Sequence, residues 1–151
     1  MFRGANSINL DSKGRIAIPA KYRDGIVESA NSHLIVTCDP YDNCLLIFTL
    51  PHWESTEADL QSLSNSKPLH RRLKRIMLAH ATEVDMDASG RVLVPPVLRE
   101  RAKLEKEVML IGQSKTFQLW NETEWNRLTQ EDLAVLSSDD LDDNDLPDLY
   151  Y

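Results

Sequence analysis

The chain has 151 residues, 42% of them apolar and 27% charged, with a formal net charge of −7; this composition excludes a disordered or fibrous chain and leaves room for one modest core or two small ones. No segment approaches the roughly 20 apolar residues that span a bilayer, and the opening MFRGANSINL has no signal-peptide core, so a cytoplasmic protein without a membrane partner is expected. The net charge does not exclude a nucleic-acid partner, because Asp139, Asp140, Asp142, Asp143, Asp145 and Asp148 hold six of the negative charges and everything before them sums to −1.

Taken in chain order, alternation at Ile8 and Leu10 predicts a strand that enters a tight turn over Asp11 to Gly14. Aspartate at a turn entry can bond backbone two residues on, and glycine supplies the positive φ that closes the turn. In the outgoing strand RIAIP, Ile16 and Ile18 share one face and Arg15 and Ala17 the other, so Arg15 points away from the core. Pro19 stops the ladder and suits a first helical position, and Gly25 is expected to end a helix of about two turns. HLIVTC and CLLIFTL read as two more strands, with a turn around DPYDN between them. Pro51 and Pro68 open helices in a polar connection, the second with Leu69, Leu73, Ile76 and Met77 on one face.

The pattern then repeats. At an offset of 76, Asp11, Gly14, Arg15, Pro19 and Arg23 recur as Asp87, Gly90, Arg91, Pro95 and Arg99. EVMLIG and FQLW supply the later strands, and Trp125 matches Trp53. Asn121 with Glu124 resembles a capping box opening a last helix through about Leu136. Four short strands and one short helix bury too little to stand alone, so the two halves are expected to share one core. The expected divisions are a first half over 1–52, a helical connector over 53–80, a second half over 81–136 and an acidic tail over 137–151, which either solubilises or folds back on the basic surface.

Signals for catalysis are missing. There is no glycine-rich phosphate loop, nucleophile elbow, HExxH or ligand cluster with metal spacing, so neither an enzyme, a cofactor, a metal site nor a small-molecule substrate is expected. His33 and His52 suit surface or capping roles, and Asp11 and Asp87 suit turns better than paired acid/base carboxylates. Cys38 and Cys44 read as buried apolar side chains in a reducing compartment. The three tryptophans, Trp53, Trp120 and Trp125, read as core or interface aromatics, and the basic run Lys67 to Arg75 reads as a solvated helix face.

The duplicated turn carries the chemistry. Arginine's planar fork bonds bidentately to a guanine edge or to phosphate, and a two-stranded ribbon is thin enough to enter the major groove. A pseudo-two-fold would present Arg15 and Arg91 as a pair on one side of the molecule, and the competing role for each is a salt bridge to a neighbouring carboxylate. Arg23 and Arg99 are expected to pair structurally, with a carboxylate of the turn or of the opposite half.

The repeated D-x-x-G-R-x-x-x-P-x-x-x-R resembles the swapped-hairpin module of the SpoVT-AbrB class, and a tandem pair opening with MFRG is similar to the MraZ family of that class. The resemblance covers the chain apart from the tail. It implies a mainly β chain with helices (α+β), two tandem halves interleaved into one pseudo-dimeric β-barrel, and chains assembled into a ring. It further implies a nucleoid-associated regulator of double-stranded DNA that represses its own division and cell wall operon from repeated boxes. Arg15 is then the leading DNA contact, Lys13 its phosphate or base neighbour, Arg3 a lesser one, and Arg91 with Ser89 the counterpart in the second copy. The second copy departs from the first, with Lys13, Tyr22 and Lys21 becoming Ser89, Leu98 and Val97, so the first repeat is expected to dominate DNA affinity. The alternative is a ring-forming interaction or toxin-neutralising protein that uses the same fold for protein contacts.

Overall fold

A computed structural model describes residues 1–138 and 146–149. The chain runs β1 (Phe2–Asn9), β2 (Arg15–Ala17), α1 (Ala20–Ala30), β3 (His33–Cys38), β4 (Leu45–Thr49), α2 (Leu50–Gln61), α3 (Pro68–Met77), β5 (Thr82–Asp85), β6 (Arg91–Leu93), α4 (Pro96–Arg101), β7 (Glu107–Ser114), β8 (Thr116–Asn121) and α5 (Glu122–Leu136). Five of the six tail aspartates, all but Asp148, lie outside the described residues. Among the described residues no helix is long and apolar enough to cross a membrane, and no group of three or more potential ligands could hold a metal ion.

The fold is α+β, and its halves interleave. A six-stranded antiparallel sheet has the order β1-β7-β8-β4-β3-β5, and β2 and β6 form a separate two-stranded ribbon. Each half contributes a hairpin, β3–β4 or β7–β8, and the hairpins join at β4–β8. The entry strands are exchanged: β1 lies on β7 of the second half and β5 on β3 of the first. A pseudo-dyad passes through the pairs Leu46↔Gln118 and Ile16↔Val92, since the registers on either side of each mirror one another.

Two expectations change here. The sheet is open, not a closed barrel, because β1 and β5 lie at opposite ends with four strands between them. Proline stops β2 and β6 at three residues each, so they lie across a sheet face instead of bridging its edges. The Asp11–Gly14 turn, in turn, does not close a hairpin of β1 on β2, because β2 pairs with β6.

The principal core lies between one sheet face and the β2–β6 layer. Leu34, Val36, Leu45, Ile47, Val108, Leu110, Phe117 and Leu119 meet Ile16, Ile18, Val92 and Val94, with Tyr22 and Ile26 of α1, Leu98 of α4 and Ala102 at the C-cap of α4. The opposite sheet face carries two smaller clusters. Ile35 and Phe48 pack under Trp53 and Leu60 of α2 and Met77 of α3. Met109, Ile111, Trp120 and Cys44 pack under Trp125 and Leu128 of α5. Trp53 and Trp120 are buried and Trp125 partly so, as core aromatics, and Cys38 and Cys44 are free and buried.

Local details depart from expectation for identifiable reasons. α1 continues past Gly25, where a Cβ would meet open space, and ends at Asn31 in the left-handed conformation (φ 48°), whose N–H bonds Val27 O. Pro19 and Pro95 are not first helical residues but extended caps at ψ 140° and 138°. Leu69 is 74% exposed while Met77 is buried, so the apolar face of α3 begins at Leu73. Asn121 Oδ1 caps α5 by accepting from Glu124 N at 3.2 Å, but Glu124 turns to Arg127 and leaves the capping box half made.

Candidate nucleic-acid interface

Each duplicated turn is built by its aspartate. Asp11 Oδ1 accepts from Lys13 N and Arg15 N, both at 2.9 Å, while Asp11 O accepts from Gly14 N at 3.0 Å. In the second copy Asp87 Oδ1 accepts from Ser89 N at 2.9 Å and Arg91 N at 2.8 Å, and Asp87 O from Gly90 N at 2.9 Å. Three N–H groups therefore converge on each aspartate. The backbone donors, that of Arg15 or Arg91 foremost, hold both carboxyls below the usual aspartate range. Gly14 and Gly90 sit at φ +83° and +78°, where a side chain is strained.

The turns feed the ribbon, and the ribbon brings the halves together. Its register sets Arg15 opposite Leu93 and Ala17 opposite Arg91, so the arginines are diagonal neighbours about 8 Å apart at Cα. Ile16 and Val92 point into the core, leaving Arg15, Ala17, Arg91 and Leu93 on the outer face. Ile18 N donates to Gly90 O at 2.8 Å and Val94 N to Gly14 O at 2.9 Å, which ties the end of each strand to the opposite turn.

The two arginines are not in the same state. Arg15 Nε donates to Asp11 Oδ2 at 2.8 Å, with the Arg15 side chain 31% exposed. Arg91 is exposed and makes no side-chain ion pair among the described residues. The salt bridge weighed for both thus forms in the first copy alone. Lys13 and Ser89 are exposed at equivalent turn positions. Arg3 is not part of this cluster: it pairs with Gln113 near the far end of β1, about 20 Å along the strand from Asn9, and its carbonyl accepts from the Tyr22 hydroxyl.

Among the described residues Arg23 and Arg99 take no carboxylate. Arg23 Nε donates to Ile18 O at 2.7 Å, and the guanidinium lies against Gly90 of the other half. Arg99 lies against Gly14 in the same way, its Nε buried without a hydrogen-bond partner among the described residues. The crossed contact explains the motif: glycine is required by its own φ and by the arginine that occupies the space of a Cβ.

A family model described as MraZ protein, antitoxin-like, matches residues 1–76 and again 77–147. The chain belongs to the MraZ family. It is 51% identical over 138 residues to the transcriptional regulator MraZ of Klebsiella pneumoniae (strain 342), covering 91% of each chain. It is 47% identical over 149 residues to the transcriptional regulator MraZ of Pseudomonas putida (strain W619), covering 99% of each. The transcriptional regulator MraZ of Escherichia coli (strain K12) is 49% identical over 133 residues, 88% of each.

In this MraZ-family chain the outer ribbon face, besides the Ala17 that alternation already put beside Arg15, includes one residue that motif reasoning passed over, Leu93, which is 48% exposed. The signal was present, since period-2 alternation from Arg91 places Leu93 beside it. The crossed backbone bonds of Ile18 and Val94 had no such signal, because they depend on which half each strand joins.

Proposed function

We propose that this chain is a transcriptional regulator that binds double-stranded DNA in a sequence-specific manner through the outer face of the β2–β6 ribbon and its two turns. The diagonal pair Arg15 and Arg91, carried on rigid turns on one face, supports this most directly. A two-stranded ribbon fits the major groove, and arginine is the side chain best suited to a guanine edge or a phosphate. The regulators named among the relatives support the same reading.

Within it, Arg15 leads. Its bond to Asp11 engages Nε and orients the fork, so the terminal nitrogens meet DNA with little ordering left to do. Lys13 adds a phosphate contact beside it, whereas Ser89 offers the second turn only a hydroxyl, and Arg3 is too far along β1 to join the same contact. Repression of its own operon from repeated boxes follows if chains assemble into a ring, because linked subunits on successive boxes gain affinity without new contacts.

The test is a salt-titrated binding assay on the DNA upstream of its own gene, using the full chain, Arg15→Ala, Arg91→Ala and a chain cut after Ser138. The expected results are steep loss of affinity with salt, near-complete loss in Arg15→Ala and a smaller loss in Arg91→Ala. Normal operator binding by Arg15→Ala would overturn the proposal and favour a protein-binding use of the same fold.

A further inference from the structure

We propose that each turn of the interface is positioned by the opposite half of the chain, Arg99 of α4 holding the turn that carries Arg15 and Arg23 of α1 holding the turn that carries Arg91. The consequence for DNA rests on the function proposed above; the positioning itself rests on contacts alone. A Cβ built on Gly14 would lie 2.4 Å from Arg99 Cζ, 2.5 Å from Nη1 and 2.8 Å from Nε. One built on Gly90 would lie 2.2 Å from Arg23 Nε, 2.5 Å from Cζ and 2.8 Å from Cδ. Each guanidinium thus packs directly on the Cα that precedes a ribbon arginine. A shift of that Cα carries the arginine with it.

The grip extends through the backbone on one side. Arg23 Nε bonds Ile18 O, and Ile18 N bonds Gly90 O, so α1, the end of β2 and the second turn form one continuous chain of contacts. On the other side Val94 N bonds Gly14 O, but Arg99 Nε has no hydrogen bond among the described residues. The first turn is therefore held by packing from Arg99 and by its own ion pair between Arg15 and Asp11. The second has Arg23, whose Nε is hydrogen-bonded, and no such ion pair among the described residues. Neither half contains a complete contact unit.

The assignment predicts crossed effects, which a general loss of stability would not produce. Hydrogen exchange followed by mass spectrometry on the full chain supplies a readout that needs no DNA. Arg99→Ala should speed exchange in the peptide spanning Asp11 to Arg15 and leave that spanning Asp87 to Arg91 unchanged; Arg23→Ala should do the reverse. Arg99→Lys and Arg23→Lys, which keep the stem and the charge, guard against an unfolded alanine variant. Equal acceleration of both turns, or acceleration of the turn in the same half, would overturn the assignment.

Binding to the upstream DNA, at salt low enough for Arg15→Ala to keep a measurable affinity, then gives a double-mutant cycle. Arg99→Lys should cost about tenfold in affinity in the wild-type and Arg91→Ala backgrounds, and nothing further in Arg15→Ala. Additivity with Arg15→Ala would also overturn the assignment. Crossed exchange in the variants, together with a wild-type chain that fails to bind the DNA, would instead remove the proposed function and leave the positioning intact.

Discussion

Arg23 Nε stands 2.2 Å from the place a Cβ on Gly90 would occupy, so a helix of the first half fills the side-chain space of a turn in the second. The same relation holds between Arg99 and Gly14.

Substitution at these glycines should therefore be costly in a way that Gly25 is not. Gly14→Ala or Gly90→Ala must hold a side chain at positive φ, about 1–2 kcal/mol by itself, and must also push the arginine out. Gly25→Ala, in mid-helix with nothing near it, should stabilise by about 0.5–1 kcal/mol. Urea unfolding of the three variants checks both signs.

The turn aspartates set an acid limit. Their folded pKa values lie below the ordinary 3.8, chiefly through the N–H donors of Arg15 and Arg91. A depressed pKa contributes stability that is fully present above the unfolded value and is lost as pH falls through the folded one. Both turns should hold unchanged from neutrality down to about pH 5 and loosen below pH 3.8. Asp11→Asn with Asp87→Asn should lower stability at neutral pH and flatten its decline in acid, followed by urea midpoints between pH 7 and pH 2.5.

The two thiols should be silent in the native state. Burial raises both above the ordinary cysteine value, Cys44 the more strongly, with Asp39 and Asp42 adding to it. The thiolate is the reactive form, so a disulfide exchange reagent should label neither until denaturant is added. Rapid labelling of Cys44 in buffer would show that the strand pair opens.

Phe117 ties the exchanged strand to the core. Its ring stacks on Phe2 of β1 at 4.2 Å and meets Tyr22 of α1 edge-on at 5.0 Å, and it is 1% exposed. Phe117→Ala should cost about 3–5 kcal/mol, measured by urea unfolding, and should loosen β1 first in hydrogen exchange.

What was legible in the chain was local. Alternation at Ile16 and Ile18 and the spacing from Asp11 to Gly14 place the buried face and the turn, because period and positive φ are properties of neighbouring residues. Alternation does not say which strand lies alongside: Ile8 is equally satisfied on a hairpin with β2 or on β7, and the structure takes β7. The open sheet and the crossed arginines both follow from that one long-range choice, whereas the remoteness of Arg3 follows from the length of β1 alone. Gly25 misled for a different reason, since a single glycine in mid-helix costs only about 1 kcal/mol and Tyr22, Ile26 and Ala30 bury one face of α1 across it.

The pseudo-dyad has a consequence for whatever docks on the ribbon. Two identical subunits repeat every substitution on both sides of their axis, and their surface reads the same from either direction. One chain carrying both halves escapes that constraint: Lys13 stands where the other end has Ser89, and a clamped Arg15 where the other has an unclamped Arg91. The ribbon thus has a head and a tail, and a surface with a head and a tail fixes the direction in which its target must run.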